Sequence, residues 1–180
     1  ISRSTAIVLD ANLSLNALEY LFHVHGDKPI LVDPVSSVKA SKLIPFLNKI
    51  HTLKPNRLEA ELLSGEKINH LDDLPKVASA LHKKGVTRVL ISLGSEGAYS
   101  SESNKGRFIP ASAIQVNNVT GAGDALMAGL AHGHLNHWQW DNTVDFAIGA
   151  ARLGLIADNT INSTMSEQAV LRLLEETIAC

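Results

Sequence analysis

Three short stretches carry residue types that could do chemistry. The first is Val119-Thr120-Gly121-Ala122-Gly123-Asp124-Ala125-Leu126. Two glycines and an alanine allow a bare turn. A helix opening there presents free backbone N–H groups at its positive dipole end, which suits an anion. A carboxylate beside such a cradle is costly unless it takes part in a reaction. Phosphoryl transfer uses both: the N–H groups hold the transferring group while Asp124 accepts the proton of the attacking hydroxyl. The plain alternative is a glycine turn whose acidic first-turn residue favours the helix dipole.

The second stretch is Asn56-Arg57-Leu58-Glu59, where Asn56 and Glu59 share one face of a starting helix. Their oxygens can hold a hydrated Mg²⁺ through intervening water. The competing reading, favoured on local grounds, is an Asn N-cap with Glu at the third helical position, a capping box in all but its first letter. The third is Ser92-Leu93-Gly94-Ser95-Glu96-Gly97, at the end of an apolar strand. Ligands bind at such strand ends in parallel sheets, and the glycines would admit a nucleotide, although an ordinary tight turn needs them equally. Asp33 follows another strand directly and could orient a metal's water shell; before Pro34, a solvated turn Asp is the expected local outcome.

Other chemistries fit worse. A dinucleotide fingerprint needs a third glycine where Leu126 stands, and no Gly-Lys-Ser/Thr exists for a P-loop. His132, His134 and His137 cluster without a shared helix face or a carboxylate or cysteine to complete a ligand set, so a polar helix end is expected. Trp138 and Trp140 read as packing for the last helices. The single cysteine is the terminal Cys180 and no Gly-x-Ser-x-Gly occurs, leaving no nucleophile.

The elements that must position these residues alternate between apolar β runs and helical patterns, which predicts a parallel sheet flanked by helices. Strands are expected at 6–9, 29–32, 50–53 and 88–93. Helices are expected at 13–25, from Ser36 or Ser37 to Leu43 with Pro45 ending or kinking it, from 56 to 63 closed by Gly65, and at 71–84. From Ala98 to Ile114 short strands with polar turns suggest an antiparallel edge. Thr120-Gly121-Ala122-Gly123-Asp124 opens a helix, and two more follow at roughly 141–157 and 166–178. With no repeat or linker, residues 1–180 read as one domain.

The 180 residues suit one α/β domain or a piece of a larger one. Hydrophobic residues at 45% and charged ones at 19% predict a globular chain. Lys plus Arg is 16 against 18 for Asp plus Glu, which gives no electrostatic footprint for nucleic acid or an anionic membrane. The most apolar stretch, Thr143 to Ala157, is interrupted by Asp145 and Arg152 and too short to span a bilayer. With Cys180 alone, a reducing compartment is expected, hence the cytoplasm. The chain opens with Ile1 and shows no signal peptide, so its natural start is expected upstream.

Asn56-x-x-Glu59, Ser92-Leu93-Gly94-x-x-Gly97 and Thr120-Gly121-Ala122-Gly123-Asp124, in that order, resemble the C-terminal half of the ribokinase-like (PfkB) sugar and nucleoside kinases. The last motif is highly specific, and the resemblance covers essentially all 180 residues. It implies a ribokinase-like three-layer α/β/α fold with a mostly parallel central sheet, whose N-terminal part and β-sheet lid are missing. It implies an ATP-dependent kinase acting on a primary hydroxyl. Gly121, Ala122 and Gly123 form the anion hole and Asp124 is the base. Asn56 and Glu59 serve Mg²⁺–ATP, the metal through water, while Ser92, Gly94 and Gly97 line the nucleotide. The wording Val8-Leu9-Asp10-Ala11-Asn12-Leu13-Ser14, Asp33-Pro34-Val35-Ser36 and Lys54-Pro55-Asn56-Arg57-Leu58-Glu59-Ala60-Glu61 points within the family to pseudouridine as acceptor. Ribose, fructose, another nucleoside or a noncatalytic nucleotide-binding role are the alternatives. The lid often makes a homodimer contact in this family. The sequence departs from the family where a monovalent cation is held: Asn118 stands where many members carry Asp, and Ala157-Asp158-Asn159-Thr160 where many carry a Gly-containing loop.

Overall fold

The computed structural model describes residues 1, 3–103, 105–159 and 162–178. It divides into two compact units, residues 1–111 and 112–180. The first holds a mixed six-stranded sheet. Its strands are β1 (Ile7–Asp10), β2 (Ile30–Asp33), β3 (Thr52–Leu53), β4 (Arg88–Ser92), β5 (Gly97–Glu102) and β6 (Lys105–Pro110). They lie in that order; β1 to β4 are parallel, and β5 and β6 add an antiparallel edge, as the change of pattern after Ala98 predicts.

The register explains the core. Leu9 pairs with Val32, Val32 with Leu53, Leu53 with Val89, and Ile91 with Tyr99, so one sheet face is a row of apolar side chains. Against it lie Leu18 and Phe22 of α1 (Leu15–Val24), Leu63 of α3 (Arg57–Ser64), and Leu74, Val77 and Leu81 of α4 (Leu74–Lys83). Fully burying each side chain of this size contributes about 1.5–3 kcal/mol.

Two boundaries differ from the sequence reading for identifiable reasons. The helix expected to stop near Leu43 is one turn of α2 (Ser37–Ala40), capped by Ser36, and then winds as a 3₁₀ helix from Ser41 to Lys49 straight through Pro45. Leu43 and Leu47 are buried on either side of that proline, and their burial outweighs the single N–H it lacks. The helix expected over 71–84 begins instead as a 3₁₀ turn, Leu71–Asp73, and becomes α only at Leu74. Pro75 sits in that first α turn, where its ring would clash with the carbonyl one turn back if the α-helix began earlier.

The second unit contains α5 (Ala122–Leu135), α6 (Trp140–Ile156) and α7 (Glu167–Ile178). Helices α5 and α6 approach closely because small residues face each other. A Cβ on Gly129 would lie 2.5 Å from Ala147 Cα, and one on Gly133 would lie 2.7 Å from the Thr143 side chain. Phe146, Ala150 and Val170 form the small core, with Trp138 edge-on to Phe146 at 5.1 Å and Trp140 buried, the packing role expected of both tryptophans. Among the described residues, no helix is long and apolar enough to cross a membrane.

Candidate active site

In the first unit, the carboxyl ends of the parallel strands gather the polar residues. Asp33 ends β2, Lys54 follows β3, and Ser92 ends β4. The backbone ties them in register. Lys54 N–H donates to Val32 O (3.0 Å), Ser92 N–H donates to Pro55 O (2.9 Å), and Asn56 forms a parallel bridge with Ser92. The start of α3 is therefore an extension of the sheet edge, which is why Asn56 and Ser92 sit side by side.

Asn56 caps α3 through a complete capping box. Its Oδ1 accepts from Glu59 N–H (3.0 Å), Glu59 Oε2 accepts from Asn56 N–H (2.9 Å), and Asn56 Nδ2 donates to Glu59 Oε1 (2.8 Å). The locally favoured capping reading is thus realised in full. It is not the whole account of Glu59, whose residue is only 2% exposed. Burial pushes its carboxyl above the ordinary value of 4.5; the Asn56 N–H opposes this, and the charge of nearby Asp33 adds to the rise while Lys54 opposes it. A carboxylate held this way favours a cation beside it.

Asp33 is not the solvated turn residue that its place before Pro34 predicts. Its Oδ1 accepts from Val35 N–H (3.0 Å) and its Oδ2 pairs with Lys54 Nζ at 2.8 Å, both side chains being largely buried. That turn holds Val35 at φ 66°, a costly conformation for a β-branched residue. Lys54 was not singled out by sequence, although a lysine directly after a strand and two residues before Asn56 is a visible signal. Together Asp33, Glu59 and Lys54 make a sheltered cluster with two hard carboxylate donors, a set suited to Mg²⁺.

The Ser92–Gly97 stretch forms a 3₁₀ turn, Gly94–Glu96, between β4 and β5. Ser92 Oγ lies 3.4 Å from Pro55 O as a donor. The two glycines differ in what they allow. Gly97 (φ 119°) has no room for a side chain, since a Cβ would meet Ile109 O at 2.1 Å; Gly94 (φ 61°) faces open space. The backbone of the turn is thus exposed at Gly94, where a ligand can approach, and packed on β6 at Gly97. Arg57 reaches the same turn, its Nη2 meeting Glu96 Oε1 at 2.6 Å, a link that sequence reasoning missed.

In the second unit, Gly121 is the N-cap of α5 at φ 87°, which favours glycine, and no side chain caps the helix. Its first-turn N–H groups are the unsatisfied donors that make an anion site. Asp124 is exposed in that first turn. The chain enters the helix through Asn118, whose Oδ1 accepts from Thr120 N–H (2.8 Å). The loop in which the sequence departs from the family's monovalent-cation pattern meets a second loop here. Asn117 and Asn118 N–H both donate to Leu155 O, and Asn117 Nδ2 donates to Ile156 O (3.0 Å) and Asp158 Oδ1 (3.2 Å). Thr160 lies outside the described residues. His132 stacks on Phe146 (5.0 Å) with Nε2 3.3 Å from Glu167.

The first unit thus presents sheltered acids at the carboxyl ends of a parallel sheet, and the second a glycine-opened helix bearing Asp124. The chain belongs to the pfkB family of carbohydrate kinases, whose sequence profile matches residues 6–167. It is 41% identical over 176 residues to pseudouridine kinase of Escherichia coli strain K12, covering 97% of this chain and 56% of that protein. The fold is ribokinase-like. A Clostridium perfringens protein provisionally described as a sugar kinase superposes with a TM-score of 0.90 at 36% identity, over 96% of this chain and 55% of that one. Arabidopsis thaliana ribokinase, solved with ribose and ATP, superposes at 0.79 and 24% identity over 96% of this chain and 56% of its own, a likeness of fold alone. The chain spans about half the length of the curated relatives it matches.

Proposed function

We propose that this chain is the nucleotide-binding and catalytic part of one ATP-dependent kinase domain, and that the acceptor is the 5′ hydroxyl of pseudouridine. The observation that carries the reading is the α5 N-terminus: a helix opened by left-handed Gly121, capped by no side chain, with Asp124 in its first turn. The N–H groups of Gly121, Ala122 and Gly123 stabilise the oxygens of the transferring group, and Asp124 accepts the hydroxyl proton. Asn56, Ser92, Gly94 and Gly97 shape the nucleotide site, with Gly94 the point of close approach. Glu59, with Asp33 beside it, supplies hard oxygen donors for the water shell of Mg²⁺, and Lys54 balances the second carboxylate. Bound there, Mg²⁺ would neutralise charge developing on the phosphates. The acceptor assignment rests on the 41% identity to the E. coli pseudouridine kinase. The reading extends to a cytoplasmic enzyme that forms a homodimer through the β-sheet lid of its family.

The test is Asp124→Asn, assayed in a form of the protein that supports turnover. Loss of the base should lower kcat by at least about 10²-fold. ATP affinity should persist, because Asn is nearly isosteric and leaves the N–H cradle in place. Unchanged turnover would remove Asp124 from the chemistry and require another group to accept the proton.

A further inference from the structure

Arg57 is not among the residues that the kinase reading uses, yet its guanidinium is firmly held. It occupies the first position of α3, directly after Asn56. Nη1 donates to Ile68 O at 3.2 Å, in the segment that follows α3. That segment is fastened in turn: Glu61 Oε1 accepts from Ile68 N–H (2.9 Å) and its Oε2 pairs with Lys67 (2.8 Å), which holds the Glu61 carboxyl below the usual carboxylate range. With one end fixed by this frame, the fork presents Nη2 to Glu96 at 2.6 Å, 39 residues along the chain.

Glu96 is the last residue of the turn that opens at Gly94. Among the described residues, the turn is further closed by its own backbone and by the residue that follows β6. Leu93 N–H donates to Gly97 O (2.9 Å), Glu96 N–H to Leu93 O (3.3 Å), and Ala111 N–H to Glu96 O (3.3 Å). The Gly94 side has nothing within 4 Å of a would-be Cβ. Arg57 thus links, through its side chain, the helix start that presents Asn56 and Glu59 to the turn that presents Gly94. It also offsets the one carboxylate in that turn, which would otherwise repel a polyphosphate.

We infer that Arg57 is a positioning residue that holds the Gly94–Gly97 turn in its nucleotide-receiving shape through Glu96. This rests on the proposal that the turn receives ATP. The pair is partly exposed, at 29% and 51%, so it should act through order more than through bulk stability.

The test is a double-mutant cycle in this chain with Arg57→Met, Glu96→Gln and both together, reading Mg²⁺–ATP affinity by calorimetry and exchange of the Glu96 and Gly97 amides. Each single change should weaken ATP binding about two- to fivefold, the range of a geometrically fixed, partly exposed ion pair. The double variant should be no weaker than either single one, because the two side chains act as a unit. Arg57→Lys should restore only part of the affinity, since an ammonium cannot serve Ile68 O and Glu96 as a fork. In a form with turnover, KM for ATP should rise while kcat stays within about twofold, a split that mere loss of fold would not give. Affinity unchanged within twofold in both single variants, or additive losses in the double, would overturn the inference. If the wild-type chain bound no Mg²⁺–ATP, the kinase reading would fail by itself. Faster exchange at Glu96 and Gly97 in the variants would then still support the latch, and unchanged exchange would refute it.

Discussion

Replacing Glu59 separates its two roles, because the capping box and the buried charge make opposite contributions to stability. In Glu59→Ala the Asn56 N–H loses its acceptor, a loss of the order of a cap, about 0.5–2 kcal/mol. The same change removes a carboxylate that burial and the Asp33 charge both disfavour, which offsets part of that loss. The net cost should be within about 1 kcal/mol, or about 2–4 °C in Tm for a chain of this size. Asn56→Ala has no such offset. It removes the acceptor of Glu59 N–H and leaves the buried Glu59 Oε1 without its amide donor, so it should cost about 2 kcal/mol or slightly more. Binding should rank the other way. Glu59→Ala should erase most of the Mg²⁺ enhancement of ATP affinity, by about tenfold or more, whereas Asn56→Ala should keep a carboxylate for the metal's water shell. Thermal unfolding and titration calorimetry with and without Mg²⁺ read both quantities on the same samples. A Glu59→Ala variant that loses stability like Asn56→Ala and retains its full Mg²⁺ response would refute the reasoning and leave Glu59 as a cap.

Two further outcomes follow from the same geometry. Gly97→Ala should lower stability by at least about 2 kcal/mol in thermal unfolding, because a Cβ meets backbone at 2.1 Å and φ is 119°; Gly94→Ala, with open space at φ 61°, should cost only about 1 kcal/mol yet weaken ATP binding more than its stability loss explains. The Glu59 carboxyl is raised, so its contribution to the stability of the metal-free chain is present below its ordinary 4.5 and lost as pH rises through the folded value. Stabilisation by Mg²⁺–ATP needs the ionised form and should run the opposite way, the Tm increment shrinking as pH falls through that raised value more steeply in wild type than in Glu59→Gln.

Much of the scaffold is legible because its signals are local. Asn56 as a cap, Gly65 as a left-handed helix end, Gly121 as the opening of α5 and the antiparallel edge after Ala98 all follow from backbone rules within a few residues. What escapes depends on partners far apart in sequence. The Lys54–Asp33 pair and the Arg57–Glu96 link exist only once β2, β3 and β4 lie side by side. The same holds for the passage of the 3₁₀ helix through Pro45, which is decided by burial of Leu43 and Leu47.

The Asn56–Glu59 pair shows why a locally favoured structural reading need not displace a functional one. A capping box fixes a carboxylate in place and aims it, because Glu59 must reach back to the Asn56 N–H. At a surface helix that is all it would do. Here the helix starts at the carboxyl edge of a parallel sheet, so the cap carries its carboxylate into a sheltered position next to Asp33, where ionisation is disfavoured. Capping alone gives no reason to tolerate two carboxylates there beside Lys54. A cation ligand does, and the cap then serves to pre-set the ligand's geometry.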